Sequence, residues 1–184
     1  MHLGNLWSCL LAWLAARSVG GGMVLRLEDL DPDRCRPEFC DQVMGDLDWL
    51  GLDWDGQPIY QSRRTQAYAA AFHALEERGL VYPCFCTRAQ RLAASAPHRS
   101  DGAALYSGRC RHLAPEARAA LSARRVPAWR IQVPEETVSF RDKLQGDCAQ
   151  NLAAECGDFI LRRSDGVYAY QLAVVVDDAF QGVT

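Results

Sequence analysis

Apolar and polar positions along the chain fall into blocks with different periods. Residues 5 to 19 are almost wholly apolar and give way at Gly20-Gly21-Gly22. This predicts a helix that is hydrophobic on most sides, therefore buried, and stopped by the glycines. Met23 to Leu27 is a short apolar stretch broken only by Arg26, which predicts a strand, and the acidic Glu28-Asp29-Leu30-Asp31-Pro32 follows it. Phe39, Val43, Leu47 and Leu50 recur at helical spacing behind Pro37, so 37–50 reads as an amphipathic helix. Gln66 to Arg78 reads as another, with Gly79 as its stop. Helix, strand, helix and helix, with a short apolar first strand, imply an α/β domain built on a buried parallel sheet.

The texture changes at Tyr82-Pro83. From Cys84 to Cys110 the chain is small, polar and turn-rich, and Pro115 to Arg125 then predicts a short helix. Trp129 to Val133 and Val138 to Phe140 predict strands, and a looser segment runs from there to Gly157. Phe159 to Arg163 and Val167 to Val176 flank Ser164-Asp165-Gly166, a hairpin signal. The apolar run Leu172 to Val176, ending in Asp177-Asp178, has the form of a central parallel strand that delivers polar groups at its carboxyl end. The implied organisation is the first half of a core over 1–82, an insertion of roughly eighty residues over 83–166, and the core resuming over 167–184.

Composition narrows the function classes. A chain of 184 residues that is 49% apolar and 23% charged has the material for a sizeable core, which excludes the disordered class. A net charge of −3 excludes a broadly basic nucleic-acid binder, so any RNA contact must use a local patch such as Arg124, Arg125 and Arg130. The run Leu6 to Ala16 is too short to span a membrane. It is preceded by His2 rather than Lys or Arg, so it reads as a buried helix rather than a secretion signal. Eight cysteines in a core-rich chain of this size point to the reducing cytosol, where close cysteines mean metal more often than disulfides.

Three segments carry candidate chemistry. His2-Leu3-Gly4-Asn5 feeds straight into a helix, presenting backbone N–H groups and the positive end of the helix dipole, although an ordinary helix-starting turn has the same form. Glu28 lies just beyond the carboxyl end of the following strand, where open α/β sheets bind ligands, and a carboxylate there suits a substrate ammonium. Cys84-x-Cys86 is followed after nineteen residues by Tyr106-x-x-x-Cys110, with His112 close behind. Three thiolates with either Tyr106 or His112 would complete a tetrahedral zinc site.

Taken in order, HLGN at 2–5, VLRLEDLDPDR at 24–34, DLDWLGLDWDG at 46–56, YQSRR at 60–64 and YAYQLAVVVDDAFQGVT at 168–184 resemble the glutamate-handling group of class I aminoacyl-tRNA synthetases. HLGN looks like the HIGH signature, with Asn5 in the place of the second His. The resemblance covers essentially the whole chain. It implies an incomplete Rossmann-like catalytic core with a zinc-bearing connective insertion. It also implies ATP-dependent activation of glutamate as glutamyl-adenylate, with magnesium, in a cytoplasmic monomer that has no membrane contact. His2, Gly4 and Asn5 would serve the nucleotide, Glu28 the substrate ammonium, and Tyr170, in its strand, the amino-acid pocket. Cys84, Cys86, Tyr106 and Cys110 match the zinc pattern of a short branch of the family that lacks an anticodon-binding domain. That branch transfers glutamate to the queuosine base of tRNA(Asp), and the compact insertion with FRDKLQG and DFILRRSDG also favours it. A fragment of an ordinary glutamyl-tRNA synthetase and a non-catalytic zinc-bearing remnant are the alternatives. The family's segment before HLGN carries a substrate arginine, and the segment beyond Thr184 carries another together with a KMSKS-like loop. The 184-residue polypeptide alone is therefore expected to show little or no activation.

Overall fold

The computed structural model describes residues 1–33, 35–87 and 106–184. Arg34 and most of the turn-rich 84–110 stretch lie outside the described residues. The chain divides into two compact units, 1–68 with 173–184, and 69–172.

The first unit opens with α1 (Leu3–Ser18), capped by the His2 side chain. Its stop is the predicted glycine turn. Gly20 adopts φ +69°, its N–H bonds to the Arg17 carbonyl, and the Gly21 N–H reaches back to the Ala16 carbonyl at 2.8 Å. That pair of bonds closes the helix end. A Cβ on Gly21 would meet the Ala16 carbonyl oxygen at 2.9 Å, so no side chain fits there. The expectation of burial is corrected: no residue of α1 is buried, and Leu3, Trp7, Leu11 and Leu14 are exposed. The helix follows from cap, stop and composition, but Leu50 and Leu52 face its Leu3, Leu6, Trp7 and Leu10 only across an open apolar cleft of about 550 Å³. Its far end is held by polar contacts. The Trp13 indole N–H donates to Asp53, and Arg17 pairs with Asp53 and Asp55.

β1 (Arg26–Leu27) and β2 (Ile59–Tyr60) pair in parallel, Arg26 opposite Ile59 and Leu27 opposite Tyr60, with α2 (Pro37–Trp49) between them in sequence. A 3₁₀ turn (Gln61–Arg63) then leads into α3 (Thr65–Glu77).

In the second unit β3 (Val81–Cys84), β4 (Ala128–Ile131) and β7 (Ile160–Arg162) form an antiparallel sheet in the order β3-β4-β7. Pro83, which has no N–H for a ladder, is tolerated because β3 is an edge. Phe72 packs edge-on to Trp129 and against Tyr168. α4 (Pro115–Ser122) forms behind its N-terminal proline. The segment read as loose holds a regular strand: β5 (Thr137–Asp142) and β6 (Gly146–Asn151) make a six-pair antiparallel hairpin followed by the short α5 (Leu152–Glu155).

The last block is a second correction. The turn at Ser164–Gly166 returns the chain to a single bridge between Arg162 and Tyr168. Residues 170–181 then form α6 (Tyr170–Gln181), not a strand. Leu172, Ala173 and Asp177 are buried while Tyr170, Val175 and Phe180 are exposed. That alternation has the helical period. The valines mimic a strand only because a short apolar run carries no period of its own. No helix among the described residues is long and apolar enough to cross a membrane.

Candidate functional site

At the start of α1 the His2 ring accepts a hydrogen bond from the Gly4 N–H through Nδ1 at 3.3 Å. In the neutral ring this leaves Nε2–H as a donor. A Cβ on Gly4 would touch only the His2 ring, at 3.5 Å, an ordinary contact. The protein's own packing therefore does not require glycine there. Asn5 is exposed on the first turn, and its N–H bonds to the His2 carbonyl.

At the end of β1, Glu28 is 40% exposed and its Oε1 lies 3.5 Å from Nη2 of Arg26. Arg26 is largely buried and donates through Nη1 to Asp178 at 2.6 Å and to Gln181 at 2.9 Å, both on α6. Asp29 accepts from the Ser62 N–H and hydroxyl, tying the strand end to the 3₁₀ turn. A polar cleft of about 310 Å³, lined by Asp29, Cys40, Tyr60, Ser62 and Arg63 among others, opens beside it. Asp177, with 0% exposure, accepts from Gln61, Arg64 and Tyr68. This hub was missed in the sequence, although an aspartate on the apolar side of a helical period is itself the signal of a buried, paired carboxylate. His2, Gly4, Asn5 and Glu28 fall in the first unit. Tyr170, the opening residue of α6 and 55% exposed, falls in the second.

The second unit assembles a compact sulfur cluster. The sulfurs of Cys84, Cys86 and Cys110 all lie within 4.8 Å of one another, and all three residues are buried. The Cys86 and Cys110 sulfurs are 3.7 Å apart, and the Tyr106 oxygen is 3.6 Å from Cys84 and 3.7 Å from Cys86. A tetrahedral zinc with bonds of about 2.3 Å to sulfur and about 2.1 Å to oxygen requires edges of about 3.8 and 3.6 Å. The Cys86–Cys110, Tyr106–Cys84 and Tyr106–Cys86 separations match those edges, and the remaining sulfur pairs lie within 4.8 Å, so the donor set suits such an ion. His112 is exposed and outside the group.

The surroundings direct several donors at the cluster. The Cys110 N–H donates to the Tyr106 oxygen and the Phe85 N–H to the Cys110 sulfur. Arg130, 1% exposed, donates to the Cys84 sulfur at 3.4 Å and to the Asp158 carbonyl, and its guanidinium covers the Tyr106 ring at 3.8 Å. Burial pushes the Cys84 thiol up, but the Cys86 N–H, Arg130 and Tyr106 outweigh it and bring the thiol down to about 7. Burial chiefly, and then the Cys84 sulfur, holds Cys86 up at about 11. Burial also raises the Tyr106 phenol well above its ordinary range. Arg130 was also missed as part of this site, although an arginine at the inward position of Ala128-x-Arg130 must have a buried partner.

A histidine-capped helix start, a parallel strand followed by a carboxylate and a cluster of thiols come in the chain order expected of the glutamate-handling synthetases. The chain belongs to the family of class I tRNA synthetases (E and Q), catalytic domain, whose model matches residues 1–184. Its relatives include the glutamyl-Q tRNA(Asp) synthetase of Nitratidesulfovibrio vulgaris, 51% identical over 100% of this chain and 60% of the relative. That of Thiobacillus denitrificans is 46% identical, with 100% and 58% covered. The chain thus spans about three fifths of the length of these relatives. Among solved structures, a glutamate tRNA ligase from Elizabethkingia meningosepticum superposes with a TM-score of 0.80 at 24% identity, covering all of this chain and 40% of that one. The glutamate-tRNA synthetase of Elizabethkingia anophelis gives 0.81 at 24% identity. The fold is therefore the α/β catalytic fold of class I glutamate–tRNA ligases.

Proposed function

We propose that this chain is the part of a glutamyl-Q tRNA(Asp) synthetase that binds ATP and glutamate for adenylate formation, the glutamyl group then passing to the queuosine base of tRNA(Asp). The observation that carries this reading is the 51% identity to a protein of that name, running along the whole chain. A substrate carboxylate is already a competent nucleophile, so the step needs alignment for in-line attack and positive charge on the phosphates rather than a general base. The Nε2–H of His2 and the N–H groups at the start of α1 supply donors, and magnesium bound with ATP would add charge. Gly4 leaves the nucleotide room and Glu28 holds the substrate ammonium. Zinc on Cys84, Cys86, Cys110 and Tyr106 would be structural, since four protein ligands leave no open position.

The reading is tested by transfer of labelled glutamate with the protein expressed from its complete reading frame. Label is expected on tRNA(Asp) that carries queuosine and not on tRNA(Asp) without it. Charging of tRNA(Glu) instead would favour an ordinary glutamyl-tRNA synthetase, the reading supported by the likeness to glutamate tRNA ligase structures. Labelling of no tRNA would point to a non-catalytic remnant.

A sharper test uses Gly4. Gly4→Ala meets only an ordinary contact with His2, and alanine in place of a helical glycine gains up to about 1 kcal/mol. The variant is expected to melt no lower than the parent while its KM for ATP rises about tenfold or more. Unchanged ATP binding would remove Gly4 from the nucleotide site.

A further inference from the structure

We infer that Asp178 is a positioning residue for the amino-acid site, acting through Arg26 to fix the carboxylate of Glu28. The inference rests on the reading of Glu28 given above.

Arg26 lies in β1 and Glu28 just beyond its end, and the 3.5 Å contact between them brings their side chains together. The Arg26 guanidinium spans two carboxylates: Nη1 is 2.6 Å from Asp178 and Nη2 is 3.5 Å from Glu28. Because the guanidinium is planar and rigid, fixing one nitrogen fixes the direction of the other. The short contact goes to Asp178 and is reinforced by Gln181 at 2.9 Å, while Glu28 receives only the long one. The order of these distances matters for function. A carboxylate closed fork-to-fork by an arginine has little attraction left for an ammonium group, whereas one touched at a single edge keeps it. Asp178 itself is firmly placed, because the preceding residue, Asp177, is pinned by three hydrogen bonds. When Asp178 is removed, Glu28 is the remaining carboxylate in ion-pair range of Arg26 among the described residues, and the guanidinium turns onto it.

The test measures glutamate-dependent pyrophosphate exchange with the protein from its complete reading frame. Asp178→Ala is expected to raise the KM for glutamate about tenfold, the scale on which a hydrogen bond to a charged group acts. The KM for ATP and the melting temperature should stay within about twofold and a few degrees of the parent. Asp178→Asn, which keeps the shape and an acceptor, should fall between. In a Glu28→Gln background Asp178→Ala should add little, because the two act through one path. Glutamate and ATP KM rising together would reduce Asp178 to a structural role, and effects that multiply fully with Glu28→Gln would break the path. An unchanged glutamate KM in Asp178→Ala would overturn the inference and leave the proposed function intact. No glutamate-dependent exchange by the parent would overturn the proposed function, and the role of Asp178 with it.

Discussion

Cys86→Ser is expected to lower bound zinc from about one ion per chain to well below that, with a marked loss of thermal stability. The Cys86 sulfur lies 3.7 Å from both the Cys110 sulfur and the Tyr106 oxygen. A serine hydroxyl is a poor zinc ligand at neutral pH and its shorter bond leaves the ion out of reach. Structural zinc sites contribute about 10–16 kcal/mol of apparent binding energy in small domains, and that energy is folding energy where the metal orders its ligands. Here it would hold together Cys84 at the end of β3 and Cys110 twenty-six residues later. The check is metal analysis of purified protein with melting before and after a strong chelator. Tyr106→Phe, which keeps three thiolates, should lose affinity without losing the site. His112→Ala should change nothing, since that imidazole is exposed and outside the cluster. Undiminished zinc in Cys86→Ser, or zinc lost in His112→Ala, would refute the assignment.

What could be read from the chain beforehand follows from where the signals are local. The Gly20-Gly21 stop of α1 and Pro37 at the start of α2 depend on backbone rules that act within a few residues, and both are present in the fold. The cysteine spacing likewise nominated three sulfurs that do cluster. The failures are non-local. Leu172 to Val176 is equally apolar as strand or helix, and only the burial of Asp177 beneath it decides for the helix. β6 reads Gly-Asp-Cys-Ala-Gln-Asn, with no alternation to announce it, because its partner β5 is exposed along most of its length. α1 has the composition of a core helix yet presents Leu3, Trp7, Leu11 and Leu14 to solvent, since burial depends on what faces a helix and not on the helix alone.

Asp177→Ala is expected to destabilise the protein by about 3–5 kcal/mol, the range for removing one partner of a buried charged pair. The side chain has 0% exposure and accepts from Gln61 Nε2 at 3.0 Å, Arg64 Nε at 2.6 Å and Tyr68 Oη at 2.7 Å. Removing it strands the Arg64 guanidinium, whose side chain is 17% exposed, and takes a partner from Gln61, whose Oε1 already has none in the structure. The alternative partners for Arg64 are weak: its guanidinium lies over the Phe180 ring at 4.0 Å, a contact that offsets little of a lost ion pair. Asp177→Asn keeps an acceptor but turns amide donors toward Arg64, so it should cost roughly half as much. The neighbouring Asp178→Ala, at a site 42% exposed, should cost only about 0–1 kcal/mol. Burial and the bond to Asp177 hold the Tyr68 phenol well above its ordinary range. The stability Tyr68 carries is therefore present through neutral pH and is lost only as strong alkali ionises it. Denaturant unfolding of the three variants at pH 7 provides the check. Equal losses in Asp177→Ala and Asp178→Ala would show that the buried hub does not hold α6 in place, and Asp178 would then lose the rigid base from which it orients Arg26.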